Sequence, residues 1–221
     1  MNINNIINRI KQINPNLKLR FKGEFDDNNK RTGYWEYYHH NGNISSKGNY
    51  LNGIKDGYWE YYYDNGTLWS KGNYLNDKQE GYWEFYNNNG TFFSKGNYLN
   101  GLRNGYWEMF KFTKNVLASK CEFENGNILS KGYYDNGKKI GIWEIYYDNG
   151  NIRSKGNYLN DIKDGYWEHY RENGLIQSEG YYENDIQHGY WKKYWSNGKL
   201  LGCGYYNNGL KDVSWEDYEY K

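Results

Sequence analysis

The side chains best equipped for chemistry in this chain are four histidines, two cysteines and a glutamate that returns in most repeats. His39, His40, His169 and His188 have the titration range of general bases and metal ligands. They stand at unrelated phases of the repeat, however, and no further His or Cys completes a metal-binding spacing. Cys121 and Cys203 lie far apart, which fits two free thiols of a reducing compartment rather than a staple. The carboxylates Glu36, Glu60, Glu84, Glu144 and Glu168 recur once per repeat, whereas a general acid–base pair is needed once. No nucleophile elbow or phosphate loop occurs. We therefore expect no enzyme, no metal and no cofactor. The chemistry that remains is recognition by aromatic surface. The chain has 28 Tyr and 10 Trp, and aromatic residues make up 21% of it. Tyr is the side chain that interface cores favour.

The composition narrows the partners. A formal net charge of +1 gives no basic footprint for nucleic acid. No apolar run is long enough to span a membrane, and the N-terminal segment lacks the apolar core of a secretion signal. The expected setting is the cytoplasm, and the Asn-x-Ser/Thr triplets at Asn43, Asn65 and Asn89 read as turns. Leu, Val and Ala are scarce, so any core must be built from rings, and a chain this aromatic is not disordered.

The elements that position these rings come from a repeat. Trp35, Trp59, Trp83 and Trp107 step by 24 residues, and Trp143, Trp167, Trp191 and Trp215 resume the step. The gap from Trp107 to Trp143 is one and a half steps, so the elementary unit is a strand plus its turn, and residues 109–140 hold an irregular half-repeat. Asn41-Gly42 and its equivalents are strong hairpin signals, because both residues tolerate the positive φ of a type I′ turn. Read as a two-residue loop, Asn41-Gly42 sets Trp35 opposite Gly48, Glu36 opposite Lys47 and Tyr37 opposite Ser46. The same register sets Trp59 with Gly72, Trp83 with Gly96 and Trp143 with Gly156, each indole lying over a residue without a side chain. The alternate connection, such as Asn52–Gly57, reads as longer and leaves its register open.

Alternation then sorts two faces. One carries Trp35, Tyr37, Ile44 and Tyr50 and is the core face. The other carries Glu–Lys pairs flanked by two tyrosine rows. Tyr34, Tyr58, Tyr82, Tyr106, Tyr166 and Tyr190 form the first row, and Tyr38, Tyr62, Tyr86, Tyr146 and Tyr170 the second. These are the candidate binding residues. Ahead of the array, Ile3, Ile6, Ile7, Ile10 and Ile13 share one face of a helix that Pro15 stops. Residues 1–16 are expected to cap the array with that stripe, and residues 17–221 to form the repeats. The fold class is all-β, an elongated array of antiparallel hairpins forming one extended twisted sheet behind a short helix.

The motif Gly57, Trp59, Tyr62, Asn65-Gly66, Lys71-Gly72, Tyr74, Gly81 resembles the MORN repeat family in its variant form, over about residues 19–218. The resemblance implies an extended sheet of hairpins that scaffolds protein partners. In some members contact with phospholipid was proposed, and bacterial proteins of this variant are often labelled antitoxin-like. The 109–127 stretch and the Ile helix depart from the pattern. Three readings follow. The first is a non-catalytic scaffold for protein–protein interaction. The second is a glycan- or choline-binding aromatic solenoid, since Gly-Tyr-Trp-Glu-Tyr-Tyr runs resemble cell-wall-binding repeats. The third, anionic lipid binding, is weakened because each repeat Lys faces a Glu.

Overall fold

The computed structural model describes residues 3–14, 20–111 and 128–218. It divides into two compact units, one built on residues 1–102 and the other on 103–113 and 125–221. In the first, helix α1 (Ile3–Ile13) precedes β1 (Phe21–Phe25), β2 (Arg31–Tyr38), β3 (Ile44–Leu51), β4 (Ile54–Tyr62), β5 (Leu68–Leu75), β6 (Lys78–Tyr86) and β7 (Phe92–Leu99). The second holds β8 (Leu102–Phe110), β9 (Ile128–Asp135), β10 (Lys138–Tyr146), β11 (Ile152–Leu159), β12 (Ile162–Tyr170), β13 (Ile176–Glu183), β14 (Ile186–Tyr194), β15 (Leu200–Asn207), β16 (Leu210–Lys211) and β17 (Glu216–Asp217). Within each unit the strands pair antiparallel with their chain neighbours, except that β17 returns to pair with β15. The irregular half-repeat is partly visible: Trp107 pairs with Gly132, so β9 completes the β8 hairpin, and residues 112–127 between them lie outside the described ones.

The two connections exchange the roles expected of them. Asn41-Gly42 is not a two-residue loop. Gly42 N–H bonds to His39 C=O at 3.0 Å and His39 N–H to Asn43 C=O at 2.8 Å, which makes a three-residue loop with Gly42 at φ +91°. That loop alone would slip the register by one residue. A bulge at Ser45 slips it back, with Tyr38 opposite Ile44 but Tyr37 opposite Ser46. The expected Trp35–Gly48 and Glu36–Lys47 pairs therefore form. The tight turn sits at the other connection, Leu51 facing Ile54 across Asn52 (φ +53°) and Gly53 (φ +90°). Asn76-Asp77 and Asn160-Asp161 repeat it without glycine, all four at positive φ.

A second bulge follows each tight turn. Tyr50 pairs with Lys55 and Gly48 with Trp59, so Asn49 faces Asp56, Gly57 and Tyr58 together, and Gly57 takes φ +79°. The Trp59 indole N–H reaches back to the Asn49 carbonyl at 3.0 Å. Trp83, Trp143, Trp167 and Trp191 make the equivalent bond to Asn73, Tyr133, Asn157 and Tyr181. This bond tilts each ring toward the preceding strand. Trp59 thus lies over Gly48 rather than over its expected partner Gly72, and Trp83 covers Gly72.

Trp35, Trp59, Trp83, Trp107, Trp143, Trp167 and Trp191 are at most 1% exposed, whereas Trp215 is only half-buried. In the first unit Tyr50 and Tyr74 stand edge-on to Trp59 and Trp83 at 5.1 and 5.2 Å, and in the second Tyr158 stands edge-on to Trp167 at 5.1 Å. The core is thus a row of rings on one face of a sheet. Each buried indole contributes at most about 5 kcal/mol by area. Cations close the row from above, with Lys55 Nζ 4.7 Å from the Trp59 ring and Lys163 Nζ 4.5 Å from Trp167.

Helix α1 forms where its periodicity places it, but only Ile7 of the described stripe side chains turns toward the array. Ile6, Ile10 and Ile13 are 38%, 42% and 84% exposed. Asn4, Ile7 and Asn8 face Phe21–Glu24 instead. The reason is the open edge of β1: the Asn4 side chain donates to Phe25 C=O at 2.8 Å and accepts from Phe25 N–H at 3.3 Å, satisfying a backbone pair that no strand covers.

Candidate functional site

The face opposite the tryptophans carries both tyrosine rows, and the structure treats them differently. The second row is tied down. Tyr38, Tyr62, Tyr86, Tyr146 and Tyr170 are half-buried, and each donates to the Glu two residues before it, at 2.6 Å for Tyr38–Glu36 and 2.8 Å for Tyr62–Glu60. A lysine completes the groups at Glu36, Glu60, Glu84 and Glu144, but not the one at Glu168. Lys47 meets Glu60 at 2.8 Å and lies 5.3 Å from the Tyr62 ring, and Lys71 meets Glu84 at 2.7 Å. Lys47 stands opposite both Glu36 and Glu60, and it bonds the later one, where the Tyr62 ring supports it. Glu144 holds Lys131 at 3.1 Å and Lys155 at 3.6 Å. The Tyr146 hydroxyl, with Lys131 adding to it, keeps the Glu144 carboxyl below the usual range, and bonding to Glu36 pushes Tyr38 up to about 12.

The first row is presented to solvent. Tyr34, Tyr58 and Tyr82 are 52%, 47% and 49% exposed in the first unit, and Tyr106, Tyr166 and Tyr190 are 39%, 40% and 40% exposed in the second. Their cross-strand partners were not legible as site residues. In the first unit these are Asn49, Asn73 and Asn97, but in the second they are Tyr133 for Tyr106, Tyr181 for Tyr166 and Tyr205 for Tyr190. The rings meet edge-on at 5.4, 5.3 and 5.3 Å. Ile142, exposed and opposite Asn157, takes the same place in the intervening repeat. The sequence signal was there in Lys-Gly-Tyr-Tyr replacing Lys-Gly-Asn-Tyr.

The chemistry-bearing side chains do not converge. His39 bonds the Tyr62 carbonyl at 2.9 Å, His40 receives Arg20, and His188 lies 3.7 Å from Glu183. His169 is stacked 6.0 Å from Trp167, where burial, helped by Lys163 and Arg153, lowers it to about 4. Cys203 is a free thiol 3.8 Å from the Tyr218 hydroxyl, and Cys121 lies outside the described residues. Among the described residues no group of His, Cys, Asp and Glu is arranged to hold a metal ion. No helix among them is long and apolar enough to cross a membrane.

The repeat geometry is matched by a family model described as a MORN repeat variant. It covers residues 31–52, 55–76, 116–138, 139–160, 163–184 and 187–208, more than half the chain. The chain belongs to the MORN repeat family. No curated relative matches it. Each MORN repeat match in the first unit spans one Trp strand and the Lys-Gly strand paired with it. The matches pass over residues 77–115, yet β6 and β7 keep the same register there, Trp83 opposite Gly96 and Glu84 opposite Lys95.

Proposed function

We propose that this MORN repeat protein is a non-catalytic scaffold that binds a protein partner on its tyrosine face. The observation that carries this reading is the first tyrosine row, which the fold exposes while the second row is absorbed into Glu–Lys–Tyr groups. Exposed aromatic side chains in a line are unusual on a surface that has no partner. They have the composition of an interface core. MORN repeat proteins are generally non-catalytic, which agrees with histidines occupied in turn and core contacts. A cytoplasmic setting agrees with the free Cys203 thiol.

The alternatives have less support. A choline or glycan site needs open indole faces, but Trp35, Trp59, Trp107, Trp143 and Trp167 are buried and each already carries a Lys or Arg on its ring. Lipid binding needs uncancelled charge, and Lys47, Lys71 and Lys131 are each paired with a Glu. The test is crosslinking of the full chain in its native cell, comparing the unaltered protein with a Tyr58→Ser/Tyr166→Ser/Tyr190→Ser variant. Loss of a specific crosslinked protein in the variant is the expected result. An unchanged crosslink pattern overturns the reading.

A further inference from the structure

We propose that the tyrosine face of the second unit takes a proline-rich segment in the polyproline II conformation, with a Lys or Arg of that segment seated at Glu168. The proposal rests on the protein-binding reading above and names the chemistry of the partner.

Pitch is the first observation. Equivalent residues of successive repeats are two strands apart, about 9.6 Å at ordinary strand spacing. Polyproline II advances about 9.3 Å per three-residue turn. A ligand crossing the strands would therefore bring the same side of each turn to each tyrosine pair. Tyr166/Tyr181 and Tyr190/Tyr205 are two consecutive pairs one repeat apart, each edge-on at 5.3 Å, which forms a ridge against which a pyrrolidine ring packs. Aromatic-lined surfaces are the common receptors of this conformation, whose low entropy offsets a shallow site.

The hydroxyls are the second observation. A polyproline II segment has no internal hydrogen bonds and offers bare carbonyls. Tyr181 and Tyr205 are 51% and 54% exposed. Their partners in the structure are the rings of Tyr166 and Tyr190, not an acceptor for their O–H. Both hydroxyls are thus available as donors to ligand carbonyls.

Charge is the third. Along the ladder Lys131, Glu144 and Lys155 alternate, but Glu168 then stands directly opposite Glu179. Lys192 bonds Glu179 at 3.5 Å, whereas Lys155 turns to Glu144. Lys155 also stands across from Glu168, but leaning to Glu144 it leaves Glu168 with the Tyr170 hydroxyl at 2.9 Å and, among the described residues, no cation within ion-pair distance. It is a carboxylate beside the Tyr166/Tyr181 pair, positioned to select a basic residue.

The experiment is calorimetric titration of the full chain with an oligoproline headed by one arginine. The same peptide headed by glutamate and a Gly-Ser peptide headed by arginine serve as controls. The arginine oligoproline is expected to bind and the Gly-Ser peptide not to. Tyr166→Ser/Tyr190→Ser should weaken binding about tenfold, the loss of one hot-spot contact. Glu168→Gln should weaken it about threefold and erase the preference for arginine over glutamate. Tyr181→Phe removes only the hydroxyl and keeps the fold, which near-UV circular dichroism verifies for every variant. Equal binding of the Gly-Ser peptide, or binding indifferent to the tyrosine variants, overturns the proposal. If oligoproline does not bind while a native crosslink is lost in the same tyrosine variants, the polyproline inference falls and the protein-binding reading stands.

Discussion

Gly156→Ala adds one methyl group and should be among the costliest small substitutions in the chain. A Cβ there would stand 2.2 Å from Cδ2 of Trp167. Ordinary carbon contacts lie at about 3.5–4.0 Å, so the ring would retreat by more than about 1 Å. It has nowhere to go. Trp167 is 0% exposed, its N–H is held by Asn157 at 2.9 Å, Tyr158 abuts it at 5.1 Å and Lys163 covers it at 4.5 Å. Overpacking costs about 1–3 kcal/mol, the strained indole bond about 1 and the aromatic contact about 1, so about 3–5 kcal/mol in total is expected. Gly141→Ala is the control: its φ is +64° with nothing within 4 Å of the new atom, so it carries only left-handed strain, about 1–2 kcal/mol. Urea unfolding followed by tryptophan fluorescence measures both. A second cycle adds Trp167→Val, which removes the ring and should rescue much of the Gly156→Ala loss through a coupling of about 1–3 kcal/mol. If Gly156→Ala costs no more than Gly141→Ala, or the double variant is additive, the ring-over-glycine account is wrong.

Three further outcomes follow from the same geometry. Glu60, Glu84, Glu144 and Glu179 all have lowered carboxyl pKa values, Glu144 chiefly through Tyr146 and then Lys131. Their contribution is full above the unfolded carboxylate range and lost as pH falls through the lowered values, so the urea midpoint should drop on acidification below about pH 4.5. Glu144→Gln should flatten part of that drop. His169, lowered to about 4, stays neutral in the fold while the unfolded chain takes its proton first, so stability declines as pH falls from about 6.5 toward 4. His169→Phe should remove that decline, and an NMR titration should find its imidazole neutral at pH 5. Asn4→Ala leaves the outward backbone pair of Phe25 open, and hydrogen exchange at the Phe25 amide should accelerate with loss of helical circular dichroism.

Much of this is legible in the sequence. The Trp step fixed the strands, and the pairing of Trp35 with Gly48 and Glu36 with Lys47 followed from alternation. The turn types were not legible, because Asn-Gly occurs at both connections and only backbone dihedrals tell them apart. Asp77, Asp161 and Asp185 adopt positive φ in tight turns where a glycine would have announced one. The lean of the indoles was hidden too, since it depends on a carbonyl opposite a bulge. Of the candidate site, alternation puts Tyr34, Tyr58 and Tyr82 on one face, and the structure exposes them. Tyr133, Tyr181 and Tyr205 were missed because Asn holds their place in most copies. The orientation of α1 was the least legible feature: an isoleucine stripe normally turns inward, and here one asparagine at an open strand edge decides otherwise.

The turns contain one more consequence. Asn41 donates to Asp64 C=O, Asn65 to Asn88 and Asn149 to Glu172, each bond joining residues 23 apart. At the opposite ends of the strands, Asp77 N–H reaches Lys55 C=O and Asp161 N–H reaches Lys139 C=O. The bulges and ladders reach the adjoining strand, and the rings reach no further than the equivalent strand of the next repeat, as Tyr61 does to Trp83 and His169 to Trp191. The bonds that recur from repeat to repeat therefore span one period or less. Removing or adding one whole period at a hairpin boundary returns each remaining group a partner of the same kind at the same offset. Copy number is in this sense a dimension along which the molecule can be cut or extended without redesign, while a change of a few residues inside a period breaks every register it touches.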